Sequence, residues 1–166
     1  MTLLLSVMAA LTACGSSPAR TEASARDPVY TPPSQERARA RTAVSTLGER
    51  AASIALQQVG VPYRYGGTSP TGFDCSGLVH YSYSRAGGSV PRTTGQLWES
   101  TSRVDRADLR PGDLIFFSIN GKMQHVGMYI GGNEFVHAPS SGKQVSVASL
   151  STAYYNRAFL RAGRPR

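Results

Sequence analysis

The chain is short of nearly every feature that would mark a metal protein, a nucleic-acid binder or a membrane-spanning protein. Among 166 residues there are only 2 Cys and 3 His. None of them stands at zinc-ligand spacing, so neither a metal nor another cofactor is expected. No apolar run approaches the roughly 18 residues that a spanning helix needs. No internal repeat is present, which excludes solenoids and propellers. Acidic residues are scarce, with 10 Asp plus Glu against 18 Lys plus Arg and a formal charge of +8. That excess attracts anionic partners over long range. The basic residues are scattered, mostly single Arg, and no helix-turn-helix pattern accompanies them, so nucleic acid is not expected among the partners.

What is present begins with a short apolar run. Leu3 to Leu11 is followed by Thr12-Ala13-Cys14-Gly15. A run this short suits the core of a secretory signal rather than a membrane span. Leu-x-Ala-Cys at its end resembles the bacterial lipobox, in which the Cys becomes lipidated and N-terminal. Residues 1–13 are therefore expected to be a signal peptide, with Cys14 the attachment to a membrane, although no Lys or Arg precedes the run. A lipidated Cys14 cannot form a disulfide. Cys75 is then a lone thiol in an oxidising compartment, where thiols invite damage, and its presence points to chemistry.

Residues 14–46 are rich in Pro, Ala, Ser, Thr and Arg, with Tyr30 as their one aromatic, and read as a flexible tether. Ser34 to Thr46 has the composition of a fraying helix. A folded domain is expected over 47–166. Hydrophobic residues make up 40% of the chain, enough for one core, while 17 Gly and 10 Pro imply many turns. Helical spacing over Leu47, Ala51, Ile54, Ala55 and Val59 ends at Gly60. Asp74 is a good N-cap for a helix running from Cys75 to Tyr83 and closed by Gly87-Gly88. A short helix fits Thr93 to Ser100. Strand-like runs follow over Asp113 to Ile119, His125 to Ile130, Glu134 to Ala138 and Gln144 to Val147. Helices followed by a strand meander imply an α+β fold with an antiparallel sheet.

In this reading Cys75 occupies the first turn of its helix, where free N–H groups and the dipole favour a thiolate. Gly72 and Gly77 leave room for a backbone or a substrate to come close. The alternative is a small buried Cys that packs the helix onto the sheet. His80 lies roughly 140° around the same helix and is expected at the surface, facing away. His125 and His137 flank the turn Gly131-Gly132-Asn133. A three-residue loop pairs Ile130 with Glu134 and puts both imidazoles on one face, about 5–7 Å apart at Cβ. A two-residue loop puts them on opposite faces. With the first register, the helix bearing Cys75 can pack over a base, His125, and an orienter, His137. A protonated His125 beside the helix N-terminus then implies a thiolate–imidazolium pair. Two satisfied structural histidines are the competing reading.

Six ordered blocks sharpen this picture. They are Tyr63-Arg64-Tyr65-Gly66-Gly67, Gly72-Phe73-Asp74-Cys75-Ser76-Gly77-Leu78-Val79, Pro91-Arg92-Thr93-Thr94, Leu109-Arg110-Pro111-Gly112-Asp113-Leu114, His125-Val126-Gly127-Met128-Tyr129-Ile130-Gly131 and Phe135-Val136-His137-Ala138. Together they resemble the NlpC family of papain-like cell-wall cysteine peptidases. The resemblance implies a papain-like core with the nucleophile-bearing helix packed on an antiparallel sheet. It implies Cys75 as nucleophile, His125 as general base and acid, and His137 as the residue orienting His125. It implies Tyr63 as an oxyanion stabiliser, with Asp74, Ser76 and Arg64 touching substrate. The expected activity is hydrolysis of amide bonds in peptidoglycan, at the D-Ala to meso-diaminopimelate cross-link or, next, at γ-D-Glu to diaminopimelate. A lipobox joined to one catalytic domain is similar to small outer-membrane murein endopeptidases, which implies a lipid anchor facing the periplasm. A papain-like acyltransferase or lipid amidase, and a non-catalytic murein-binding lipoprotein, are the alternatives. A regulatory protease or adaptor is a further possible partner.

Overall fold

The computed structural model describes residues 45–166 apart from Asn120. The expected signal segment, Cys14 and nearly all of the tether lie outside the described residues. Helix α1 (Leu47–Leu56) begins at a reciprocal cap. The Thr46 hydroxyl accepts from Glu49 N–H at 3.2 Å, and the Glu49 carboxylate accepts from Thr46 N–H at 2.8 Å. Its buried residues, Ala51, Ala52 and Ala55, are small, which lets the helix lie close against α2 (Cys75–Arg85). The helix stops short of the expected Val59, which is about half exposed in a turn that leads to Gly60. A two-residue ladder, β1 (Thr68–Ser69) with β2 (Gly72–Phe73), precedes α2, and α3 (Thr94–Ser100) follows it with Thr93 as N-cap.

The rest of the chain builds a six-stranded antiparallel sheet from β3 (Thr101–Val104), β4 (Leu114–Ile119), β5 (Lys122–Gly131), β6 (Glu134–His137), β7 (Ser146–Ser149) and β8 (Phe159–Pro165), with α4 (Ala153–Ala158) before β8. The strand order is β3-β8-β4-β5-β6-β7. The class is α+β, with helices packed on an antiparallel sheet. The sheet is covered on both faces, which is why Leu114, Ile115, Phe116 and Phe117 are all fully buried. Leu114 and Phe116 join Val126, Met128 and Val136 in the core shared with α1 and α2. Ile115 and Phe117 join Phe135, Leu150 and Ala162 in a second core on the α4 side.

The sequence reading places β4 to β7 within a few residues and misses β3 and β8. The strand-like runs end at Val147, yet Phe159–Pro165 fills the position between β3 and β4. Two arginines make that possible. Arg161 lays its guanidinium 3.9 Å over the Trp98 ring centroid. Arg164 grips Asp113, 2% exposed, through two bonds of 2.7 Å, a bidentate pairing that neutralises a buried carboxylate also bonded by the Arg110 N–H at 2.8 Å.

Candidate active site

Asp74 caps α2 as expected, its Oδ1 accepting from Gly77 N–H at 2.6 Å. The carboxylate also accepts from Gly66 N–H at 3.0 Å and from both terminal nitrogens of Arg92, at 3.0 and 2.6 Å. Ser76, buried, takes a 2.9 Å bond from Arg92. Asp74 and Ser76 are thus committed to an internal brace that holds the Gly66-Gly67 loop on the first turn of α2. Arg64 lines a separate shallow groove. None of these three expected substrate contacts lines the cleft that contains Cys75; each side chain is used or directed elsewhere. Gly77 shows why the brace is so close: a Cβ there would lie 1.9 Å from the Gly67 carbonyl oxygen. The space left at this glycine admits backbone, not substrate. His80 is half-buried rather than at the surface, its Nδ1 2.8 Å from the Val90 carbonyl.

The Cys75 sulfur sits between α2, α3 and β5. It lies 3.8 Å from the Thr94 hydroxyl and 3.8 Å from the Gln124 carbonyl. The backbone N–H groups of Val126 and Ser76 are also directed to it. It therefore faces the β5 backbone on both sides of His125. The cleft there, about 630 Å³, is lined by Tyr63, Cys75, His125, His137, Tyr154 and Tyr155 among others. Tyr63 is held by a 2.8 Å bond from its N–H to the Lys143 carbonyl.

His125 Nε2 and His137 Nδ1 are 2.8 Å apart. The turn that brings them together differs from the expected one. Gly131 pairs with Glu134, so the loop is the two residues Gly132-Asn133, with φ of 59° and 62°, as a type I′ turn requires. By itself that loop would set the imidazoles on opposite faces. A one-residue bulge between Tyr129 and Gly131 reverses the shift, so that Tyr129–Phe135 and Met128–Val136 pair as the three-residue loop predicts. The helix bearing Cys75 does not cover the imidazoles. They pack among Phe117, Phe135 and Tyr155 on the opposite side of the sheet from α2, and they share the lining of one cleft with Cys75.

Burial dominates the electrostatics. It pushes the Cys75 thiol up from its usual value, against smaller opposing effects of the Val126 N–H, the Thr94 hydroxyl and the Ser76 N–H. It pulls His125 down to about 4. It also pulls His137 down to about 3, helped by His125 and Lys143. Burial therefore favours the neutral thiol and the neutral imidazole, and opposes the ion pair that the helix N-terminus suggested. Neutral imidazoles also fix the proton order. For His125 Nδ1 to act as a base, Nε2 must carry the proton and donate to His137 Nδ1. His137 Nε2–H then donates to the Tyr155 hydroxyl, 3.4 Å away. Nothing local in the sequence singles out Tyr155 or Lys143, whereas Thr94 lies in the block Pro91-Arg92-Thr93-Thr94. Among the described residues no three His, Cys, Asp or Glu side chains gather as a metal site, and no helix is long and apolar enough to cross a membrane.

A helix-borne thiol sharing a cleft with two bonded histidines, on an antiparallel sheet, defines a papain-like fold with a cysteine–histidine site. The chain belongs to the NlpC/P60 family, whose model matches residues 60–164. It is 41% identical over 115 residues to the murein DD-endopeptidase MepH of Escherichia coli, covering 66% of this chain and 42% of that protein. It is 41% identical over 88 residues to the probable endopeptidase p60 of Listeria monocytogenes, covering 53% and 18%. The match thus spans less than half the length of either relative. An NlpC/P60 family protein from Bacillus cereus has a similar structure, with a TM-score of 0.68 and 34% identity over 73% of this chain and 41% of that one. The NlpC/p60 domain of peptidoglycan hydrolase SagA gives 0.62 and 30%, over 70% of this chain and 97% of that one.

Proposed function

We propose that this protein is a cysteine endopeptidase of bacterial peptidoglycan, cutting D-Ala to meso-diaminopimelate cross-links. The observation that carries the reading is the cleft in which the Cys75 thiol and the His125–His137 pair, bonded at 2.8 Å, face one space. The names of the similar proteins support the substrate class. In the reaction His125 Nδ1 takes the thiol proton as sulfur attacks the amide carbonyl carbon. Tyr63 lines the same cleft, and its hydroxyl donates to the developing oxyanion. The protonated imidazole then gives its proton to the departing amine, leaving a thioester. Water, deprotonated by His125, releases the acid and restores the thiol. Incubating the full chain with intact peptidoglycan and weighing the released fragments tests both activity and bond. Cleavage at γ-D-Glu to diaminopimelate instead would overturn the choice of bond, and no release would overturn the function.

Tyr63→Phe is expected to lower kcat by roughly 10²-fold, the usual loss of an oxyanion donor, with an unchanged thermal midpoint. If steady-state kinetics show kcat within a factor of two of the parent, Tyr63 only packs.

The same reading puts the protein on the periplasmic side of the outer membrane, held by lipid on Cys14, with Gly15 rather than Asp behind it. The support is the apolar run ending in Leu11-Thr12-Ala13-Cys14. Cys14→Ser is expected to move the protein to the soluble fraction of lysed cells while its specific activity is retained. A Cys14→Ser protein that is still processed and membrane-bound would sink the anchor.

A further inference from the structure

Beside the cleft runs a second groove of about 640 Å³, lined by Pro62, Tyr63, Pro139, Gly142, Lys143, Gln144 and Ser146. Tyr63, Pro139 and Lys143 line both spaces and form the ridge between them. Among the described residues lining either groove, Lys143 is the only one with a formally charged side chain, since both histidines are held neutral by burial. No described carboxylate pairs with it; the two salt bridges found are Arg92–Asp74 and Arg164–Asp113.

The ammonium also rises from fixed backbone rather than from a loose loop. Lys143 O accepts from Tyr63 N–H at 2.8 Å, Val145 N–H donates to Val61 O at 2.8 Å, and Gly60 N–H donates to Val145 O at 2.9 Å. Pro62 bridges Gln144 in the same short ladder. Residues 143–145 are thereby stitched to the segment that positions Tyr63. A cation held unpaired at the rim of an otherwise uncharged peptide groove is placed to meet an anion on the ligand.

We infer that Lys143 is a specificity-determining residue that selects substrates carrying a free carboxylate next to the scissile bond, and that amidation of that carboxylate removes the preference. The inference rests on the peptidoglycan reading above, whose stem peptides carry such carboxylates. It adds which residue recognises them. The contact is partly solvated, so the expected selectivity is about fivefold, the upper range of an exposed ion pair. It should shrink as salt screens the pair.

The experiment uses the full chain and synthetic cross-linked stem peptides that are identical except that the D-glutamyl or a diaminopimelyl carboxylate is free or amidated. The parent is expected to prefer one free acid over its amide by about fivefold in kcat/KM, through KM rather than kcat. Which amide loses the preference identifies the carboxylate. In Lys143→Met the acid-to-amide ratio falls to near 1, in Lys143→Arg it persists, and in the parent it declines with added salt. A parent without preference for any acid, or a Met variant that keeps it, overturns the inference. Binding of the same peptides to Cys75→Ala protein, followed by calorimetry, separates this from failure of the enzymatic reading. Acid-selective binding that depends on Lys143 without any turnover by the parent sustains carboxylate recognition and rejects the peptidase. Turnover without acid selectivity does the reverse.

Discussion

Cys75→Ala is expected to abolish the proposed peptidoglycan hydrolysis, lowering kcat by about 10⁴-fold or more, and His125→Ala to fall nearly as far. The two groups act as a unit: without the imidazole the half-buried thiol keeps its proton, and without sulfur there is nothing to deprotonate. The double variant should therefore be little worse than either single one, and additive losses measured on purified protein would show that the residues work independently. The pH profile follows from the burial of the pair. His125, lowered to about 4, stays an unprotonated base down to that pH. Activity should persist through mildly acidic conditions and fall as pH drops through about 4, where the imidazole is filled from solvent. The thiol is raised, so alkylation by iodoacetamide should be slow at neutral pH and climb only above the usual thiol range of about 8.5. Titration of Cys75 far below that range in the parent, returning to it in His125→Ala, would restore the ion pair and remove the neutral one.

Gly77→Ala should be the most damaging single methyl in the domain. Its Cβ would fall 1.9 Å from the Gly67 carbonyl, and the obstacle is backbone pinned by Asp74 N–H at 3.2 Å. Relief requires pulling the Gly66-Gly67 loop off the first turn of α2, and with it the Arg92–Asp74 brace. A loss of about 3 kcal/mol or more in unfolding free energy is expected, together with reduced turnover, because Cys75 stands in the same turn. Gly95→Ala is the control: an exposed position in α3 with nothing within 4 Å of the added carbon. It should be neutral or stabilise by about 0.5 kcal/mol through helix propensity. Denaturant midpoints that moved equally for the two would show that the close approach at Gly77 is not real.

Local signals made much of this molecule legible. Asp74 before a helical run announces an N-cap because a short carboxylate satisfies a free N–H two or three residues on, and that fixes where Cys75 stands. The runs around Phe116, Val126 and Val136 read as strands because both faces of the sheet are covered. Tertiary partners hid the rest. Asp74 and Ser76 sit in a motif that suggests substrate, but Arg92, 16 to 18 residues away, engages both of them. β8 escapes a local reading because its arginines are half-buried against Trp98 and Asp113.

One thiol and two histidines on elements that can meet, and helices ahead of a sheet, are legible in the order of residues alone. How those groups come together depends on contacts between distant segments. The two-residue turn at Gly132-Asn133 would have separated the imidazoles, and a bulge of one residue brought them back, since the side-chain period of a strand is two and each single-residue shift reverses a face. Protonation was likewise beyond any local reading. A helix N-terminus favours a thiolate from a few ångströms of chain, whereas the burial that opposes it comes from α3 and β5 packed around a half-buried Cys75.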